Sequence, residues 1–422
     1  MHEDIKFDVA IIGAGPAGMM VALIAAESGA KVVLIEKNRH LGKKLLLTGN
    51  GRCNITNAEF NLRELVKNYN NGEFLFHAFS LFGPERAIKF FEGLGVKTKT
   101  EKDKRVFPKS NKAEEVLEAL NKHLEKNKVQ IIYNSEIVGI NHKGKKINKI
   151  ILSDQKIEAK KYIICTGGKS YSSTGSDGVG YKLAEKLGHT IVEPMPALSP
   201  IKIKEEWIKK LQGMGLEDTK ISVFKNKKRL AQEDGEVMFT HFGISGPAVL
   251  NISGIVGSLL EKSAGNGWDP SDTKICIDLF PLLNPAELKM GIEDMLKKHA
   301  NKSLKNILSA FVPERFAEVL LDTVGLDKDK IANNMSKVEK EIIVKTLKNI
   351  ELTAEDVLGF EQAIVTRGGV SLKEIDDKTM KSKIIDNLFF AGEIIDVDGK
   401  TGGFNLQICW STGYLAGKSA IK

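Results

Sequence analysis

Cysteine is scarce in this chain: four residues in 422, Cys53, Cys165, Cys276 and Cys409, with no C-x-x-C pair among them. That excludes a disulfide scaffold, a zinc ribbon and a thioredoxin-type dithiol centre, and it leaves buried thiols as the reading. No metal site is expected. Internal repeats and low-complexity tracts are absent as well. No charged leader followed by an apolar stretch and a small-residue cleavage site opens the sequence, so the expected compartment is the cytoplasm. The one long apolar run, Val9 to Ala26, approaches the length a helix needs to cross a bilayer, but it contains Pro16 and three glycines. It reads as a strand followed by a helix, and no membrane span is expected. Charge of neither sign dominates: Lys+Arg 62 against Asp+Glu 54 gives a net +8. Such a balance suits anionic ligands and does not by itself imply nucleic acid. The lysine-rich stretches 97–112 and 142–161 are interrupted by acids, which reads as solvated surface, so no nucleic-acid partner is expected.

What is present is ordinary globular composition, 42% hydrophobic and 27% charged. At roughly 150 residues per domain, this length predicts two or three domains. The opening has the rhythm of strand (7–12), glycine turn (13–18), helix and second strand (31–36), the start of a right-handed parallel βαβ unit. Helical patterns follow around 61–94 and 112–127, then strand-like alternation from 129 to 163. After Val192 the character changes. Pro194, Pro196 and Pro200 punctuate a crossing, about 90 residues read as short strands, and helical periodicity takes over beyond Pro285. Strand-like segments return at 363–366 and 387–391, before a last apolar helix from about Asn405. The expected organisation is an α/β, Rossmann-like domain built from 1–191 and 355–422. Between them lies an insertion at 192–354, β-rich over 192–283 and helical over 284–354.

The turn Gly13-Ala14-Gly15-Pro16-Ala17-Gly18 is G-x-G-x-x-G between a predicted strand and a predicted helix. Gly13 permits the tight turn, Gly15 lets a pyrophosphate approach the backbone, and Gly18 lets helix and strand pack closely. Glu36 closes the second strand, where a carboxylate accepts from a ribose diol and disfavours a 2′-phosphate. This fingerprint alone does not choose between NAD and FAD. The C-terminal strand ending in Gly392-Glu393 and the helix opening at Gly402-Gly403-Phe404-Asn405-Leu406-Gln407 favour FAD, because a plain NAD dehydrogenase has no need of a second, distant element. No second strand–GxGxxG–helix unit follows, so NAD(P)H, if it is the hydride donor, must visit the substrate cleft and leave.

The segment Gly42-Lys43-Lys44-Leu45-Leu46-Leu47-Thr48-Gly49-Asn50-Gly51-Arg52-Cys53-Asn54-Ile55-Thr56-Asn57 makes the chain resemble the BaiN-like flavoproteins, NAD(P)/FAD-dependent oxidoreductases with YhiN-type and aminoacetone-oxidase-type members. So do Arg105-Val106-Phe107-Pro108, Thr166-Gly167-Gly168-Lys169-Ser170, Phe239 to Pro247, and the C-terminal run, so the resemblance covers nearly the whole chain. It implies a two-dinucleotide-binding-type FAD domain with an inserted β-barrel-like domain and a small helical part. The expected cofactor-facing set adds Lys37, Lys44, Leu45, Thr48, Gly49, Gly51, Arg52, Cys53, Ile137, Thr166, Gly167 and Gly168 to the residues already named. Cys53 reads as packing rather than redox chemistry, since no partner thiol is near it in sequence.

Two groups are candidate catalysts: Arg52 as the cation for a substrate carboxylate or flavin oxygen, and His241, in a glycine-flanked turn, as a proton donor. Expected chemistry is hydride transfer between flavin N5 and a small organic molecule. The resemblance implies either reduction of an activated C=C bond of bile-acid or steroid type, or oxidation of an amine such as aminoacetone with O₂. An RNA-modifying flavoprotein and a non-catalytic redox sensor are the other classes. Oligomeric state is left open.

Overall fold

The computed structural model describes residues 6–266 and 273–422. The chain divides into two units, Met1–Ala197 with Phe360–Lys422, and Leu198–Gly359. The boundaries fall at 197/198 and 359/360 because the strand Ile191–Ala197 pairs antiparallel with Val365–Val370 inside the first unit. Pro194 and Pro196 sit within that strand. A proline has no N–H to give a ladder, but this two-stranded edge sheet is bulged between Val192 and Met195 and so accommodates both.

The first unit is built on a seven-stranded sheet. Gln130–Ile132, Val32–Ile35, Lys6–Ile12 and Lys156–Ile164 lie side by side and parallel, and Leu388–Phe390 joins the far edge with Ile163 opposite Phe389. The central strands are apolar without alternation, as burial on both faces requires. Helix Pro16–Glu27 covers one face, with nine consecutive residues from Ala17 to Ala25 buried. Against it packs helix Phe404–Ala420. A Cβ on Gly413 would stand 2.8 Å from the Ala17 carbonyl oxygen, and one on Gly417 3.0 Å from the Ile24 Cβ, so bare glycine faces set how closely the two helices approach. Thus the last helix of the chain lies directly over the first, and both present their N-termini to one end of the sheet.

The second unit closes six strands into a barrel, among them the long pair Gly215–Lys225 and Lys228–Phe239 and the closing strand Ile350–Val357. Helices Pro285–Lys298, Glu314–Thr323 and Lys337–Lys348 follow the predicted helical stretch. One expectation is corrected: the region read as short strands contains the twenty-residue helix Pro247–Asn266. Its sequence is apolar and small nearly all round, so no 3.6-residue polar face marks it. The available signal was Pro247 at the start, directly after Gly246, which is left-handed at φ 97°.

Among the described residues no helix is long and apolar enough to cross a membrane, and no cluster of His, Cys, Asp and Glu is arranged to hold a metal.

Candidate cofactor cleft

The strand-to-helix turn at 13–18 opens onto a solvent-open cleft, all of whose walls belong to the first unit. Gly13 is left-handed at φ 95°, and a Cβ there would press to 2.7 Å on the Cys165 carbonyl oxygen. A Cβ on Gly18 would overlap the Gly13 carbonyl oxygen, so this residue fixes helix against turn. Gly15 is different. Its backbone is extended (φ −77°, ψ −174°), which any residue adopts, and a Cβ there would have nothing within 4 Å. The bare position is therefore not required by the protein itself. It leaves room at the N-terminus of Pro16–Glu27, where the free amides and the helix dipole favour an anion.

Glu36 lies on the same cleft, 7% exposed. Its Oε2 accepts from Ala14 N (2.9 Å) and its Oε1 from Asn38 N and Nδ2 (both 2.8 Å). A carboxylate has about four acceptor sites, so one remains on Oε2 for a ribose hydroxyl. Ile137 stands on this wall too, while Lys37, also on it, donates to Asp177 at 2.7 Å. Farther along the cleft are Leu45, Thr48, Thr166, Gly167, Gly392, Glu393, Asn405 and Leu406. Segments separated by more than 350 residues thus share one space. Two hydroxyls on its walls, Thr166 Oγ1 and Ser176 Oγ, are buried without a hydrogen-bond partner. Such orphans are costly unless a ligand satisfies them. Thr166 Oγ1 is turned onto Gly180, whereas Ser176 Oγ, the open Gly15 and the spare Glu36 lone pair together fit a dinucleotide. The sequence reading did not single out Ser176.

Other expected contacts are placed differently. Lys44 lines the cleft, but its Nζ is spent on Glu393 Oε2 (2.8 Å), Glu393 Oε1 (3.1 Å) and Ser170 Oγ (2.8 Å). Glu393 also accepts from Thr366 N (2.8 Å), so it ties three segments together and is not a free strand-end acid. Gly168 packs against Thr366, leaving no space for a Cβ. Gln407 is fully buried: Oε1 accepts from Thr56 Oγ1 (2.5 Å), and Nε2 donates to Phe82 O (2.9 Å) and Ser411 Oγ (2.8 Å). Gly402 and Gly403 turn the chain into the last helix, and the Asn54 side-chain oxygen caps the Gly403 N–H at 2.9 Å.

The 49–53 loop does not line the cleft. Gly49, Asn50, Gly51 and Cys53 are all left-handed, and the turn closes through Arg52 N to Gly49 O (3.2 Å) and Cys53 N to Thr48 O (2.9 Å). Arg52 lies over the Phe107 ring, its Cζ 3.9 Å from the centroid, and donates to Glu101 Oε1 (2.5 Å) and Asn111 Oδ1 (2.9 Å). Its hydrogen bonds and those of Lys99 hold the Glu101 carboxyl down at about 2. Cys53 is buried, and burial pushes its thiol up to about 12. His241 lies in the second unit, exposed in the turn between Lys228–Phe239 and Gly243–Ser245, with its ring edge-on to Phe242 at 4.9 Å.

Comparison with known proteins gives three findings. The family model described as HI0933-like protein Rossmann domain matches residues 7–419. A 3-dehydro-bile acid delta(4,6)-reductase of Clostridium scindens is 32% identical, over 98% of this chain and 99% of its own, and a ribosomal RNA dihydrouridine synthase of Haemophilus influenzae is 31% identical, over 97% of each. Among solved structures, a 3-ketosteroid Δ4-(5α)-dehydrogenase from Rhodococcus jostii superposes with a TM-score of 0.54 at 14% identity, covering 100% of this chain and 98% of its own. That last likeness is one of fold.

Proposed function

The chain belongs to the HI0933-like Rossmann family and is an FAD-dependent oxidoreductase; from that premise we propose that it saturates a C=C bond conjugated to a carbonyl group. The observation that carries this reading is the single cleft shared by the Gly13–Gly18 turn, Glu36, Gly392 and Asn405. With the adenosine end at Glu36 and Ile137 and the pyrophosphate at Gly15, the apolar walls Ile364, Val365, Val397 and Leu406 are left for the flat flavin ring. FAD, when bound, supplies the hydride from N5. The chain's residues hold the cofactor, exclude water with those apolar walls and deliver a proton.

The two curated relatives are named for different substrates, yet both names describe saturation of a C=C bond next to a carbonyl, in a keto-steroid ring and in uracil. A small enone of steroid type is our first reading, resting on the C. scindens relative. Uracil in RNA is the second, favoured by the dihydrouridine synthase relative and by the basic excess, which the first unit carries while the second is near neutral. NADH or NADPH is the proposed donor.

The test is anaerobic. NADH or NADPH is added to the FAD-loaded protein until the flavin absorbance bleaches, then a 3-keto-4-ene steroid, a uracil-containing RNA or oxygen is admitted. Return of the flavin band with the enone, with stoichiometric saturated product, is expected. Reoxidation by RNA with dihydrouridine formed selects the second reading, and reoxidation by oxygen alone contradicts both.

A further inference from the structure

With Arg52 folded over Phe107, the cleft needs another cation if a substrate oxygen is to be polarised. Arg367 stands next to residues that line the cleft, though it is not itself one of them. It stands on the strand Val365–Val370, where residues two apart share a face, so Arg367 shares the face of Val365, a wall of the cleft. Thr366 points the other way, and its Oγ1 accepts from Lys169 N (2.8 Å) and Ser170 N (3.0 Å). The guanidinium is held in a fork by Asp398, Nε to Oδ1 at 3.1 Å and Nη2 to Oδ2 at 3.2 Å. Asp398 is 5% exposed and directly follows Val397, another cleft wall.

Two of five N–H donors are thereby used. Nη1 has no partner among the described residues, and the Arg367 side chain keeps 27% of its surface open. A rigid planar fork with donors to spare is the form in which arginine recognises an oxygen atom. The contrast with Arg52 is chemical: Arg52 covers an aromatic ring and gives its donors to Glu101 and Asn111, whereas Arg367 is hydrogen-bonded to Asp398 alone, with the Asp396 carboxylate near enough to feel its charge.

We propose that Arg367, positioned by Asp398, receives the carbonyl oxygen of the substrate at the flavin end of the cleft. This assignment rests on the reductase reading above and deepens it. Hydride addition at the β-carbon breaks the C=C π bond and moves its electron pair toward the carbonyl oxygen as an enolate. A proton added at the α-carbon restores the carbonyl and completes the two-electron reduction. Nη1 of Arg367 donates to that oxygen as its charge grows, which is where a fixed donor lowers the barrier most. Asp398 is a positioning residue: it sets the plane of the guanidinium and touches no substrate.

The experiment uses the FAD-loaded enzyme in two assays. The first is equilibrium binding of 4-nitrophenolate, a planar anionic-oxygen probe resembling the enolate, read from its absorbance and that of the flavin. The second is reoxidation of photochemically reduced enzyme by cyclohex-2-enone, with oxygen as the oxidant that needs no carbonyl site. Arg367→Ala is expected to weaken the probe at least tenfold and slow enone-driven reoxidation by about 10²–10³-fold, while FAD occupancy and reoxidation by oxygen stay within twofold. Arg367→Lys is expected to recover part of the probe affinity.

Because Arg367→Ala strands the buried Asp398 charge, the double variant Arg367→Gln with Asp398→Asn is run beside it and is expected to show the same two losses. Probe binding and enone reoxidation at wild-type levels in either variant overturn the assignment. Equal slowing by enone and by oxygen, or loss of FAD from both variants, overturns it too, since that is what a purely structural arginine would give. If wild-type enzyme is reoxidised by no enone, the reductase reading fails. The probe then decides Arg367 by itself: a tenfold loss supports it as an oxygen-binding cation, and no loss overturns it.

Discussion

The two glycine-rich segments of the first unit, 13–18 and 49–53, look alike in sequence and serve opposite ends. In the first, Gly15 has an ordinary extended backbone and empty space where a side chain would be. In the second, Gly49 and Gly51 are needed for their left-handed φ angles, at 58° and 80°, in a loop closed on its own amides. A glycine kept for space points to something outside the protein, whereas a glycine kept for conformation points to the fold. The loop's arginine follows the same logic, turned onto Phe107, Glu101 and Asn111 rather than into the cleft.

The comparison breaks most visibly at Gly18. Gly18→Ala puts a methyl into the Gly13 carbonyl oxygen, so helix and turn must separate. Overpacking of this kind costs about 1–3 kcal/mol or more, and thermal unfolding of both apoprotein and holoprotein is expected to fall by several degrees, with FAD occupancy reduced alongside. An unchanged melting curve with full FAD would show that the turn is softer than it looks.

Gly15→Ala sharpens the contrast. The apoprotein is expected to melt within about 1–2 °C of wild type, because backbone and space both accept the methyl. FAD affinity is expected to drop tenfold or more, since the methyl occupies the approach of the pyrophosphate. Equal loss of apoprotein stability would move Gly15 into the same class as Gly18.

Arg52→Ala carries the smallest expected effect on the cofactor. FAD affinity should stay within about threefold while the melting temperature falls, as Phe107 is uncovered and Glu101 loses its first partner. The Glu101 carboxyl is held below its ordinary 4.5, at about 2, so the stability it contributes is fully present above pH 4.5 and is lost as pH falls toward 2. The variant should show a shallower acid decline over that window. Loss of substrate binding with an unchanged melting curve would instead return Arg52 to the cleft.

The parts legible in the sequence were those governed by short-range pattern. The 13–18 turn, Glu36 and the buried parallel strands follow from spacing, and the C-terminal elements followed from strand and helix signals near Gly392 and Asn405. Helix Pro247–Asn266 escaped because its residues lack a polar face, and strand Ile191–Ala197 escaped because two prolines argue against a strand until its edge position is known. The 42–57 motif drew attention to Arg52, and nothing in the sequence marked Arg367. What separates them is partnership across distance, with Phe107 and Glu101 for one and Asp398 for the other, and no periodicity encodes that. The orphaned Ser176 hydroxyl was likewise invisible until burial could be seen.

The central claim is that the cleft opening at Gly15 is an FAD site. The most direct measurement is titration of deflavinated protein with FAD, with Gly15→Ala measured beside wild type under identical conditions. Saturation at one FAD per chain is expected, with a structured flavin absorbance band and an affinity lowered at least tenfold in the variant at unchanged apoprotein stability. A wild-type chain that takes up no FAD saturably, or a Gly15→Ala chain that binds it as wild type does, would show that the cleft is not the FAD site.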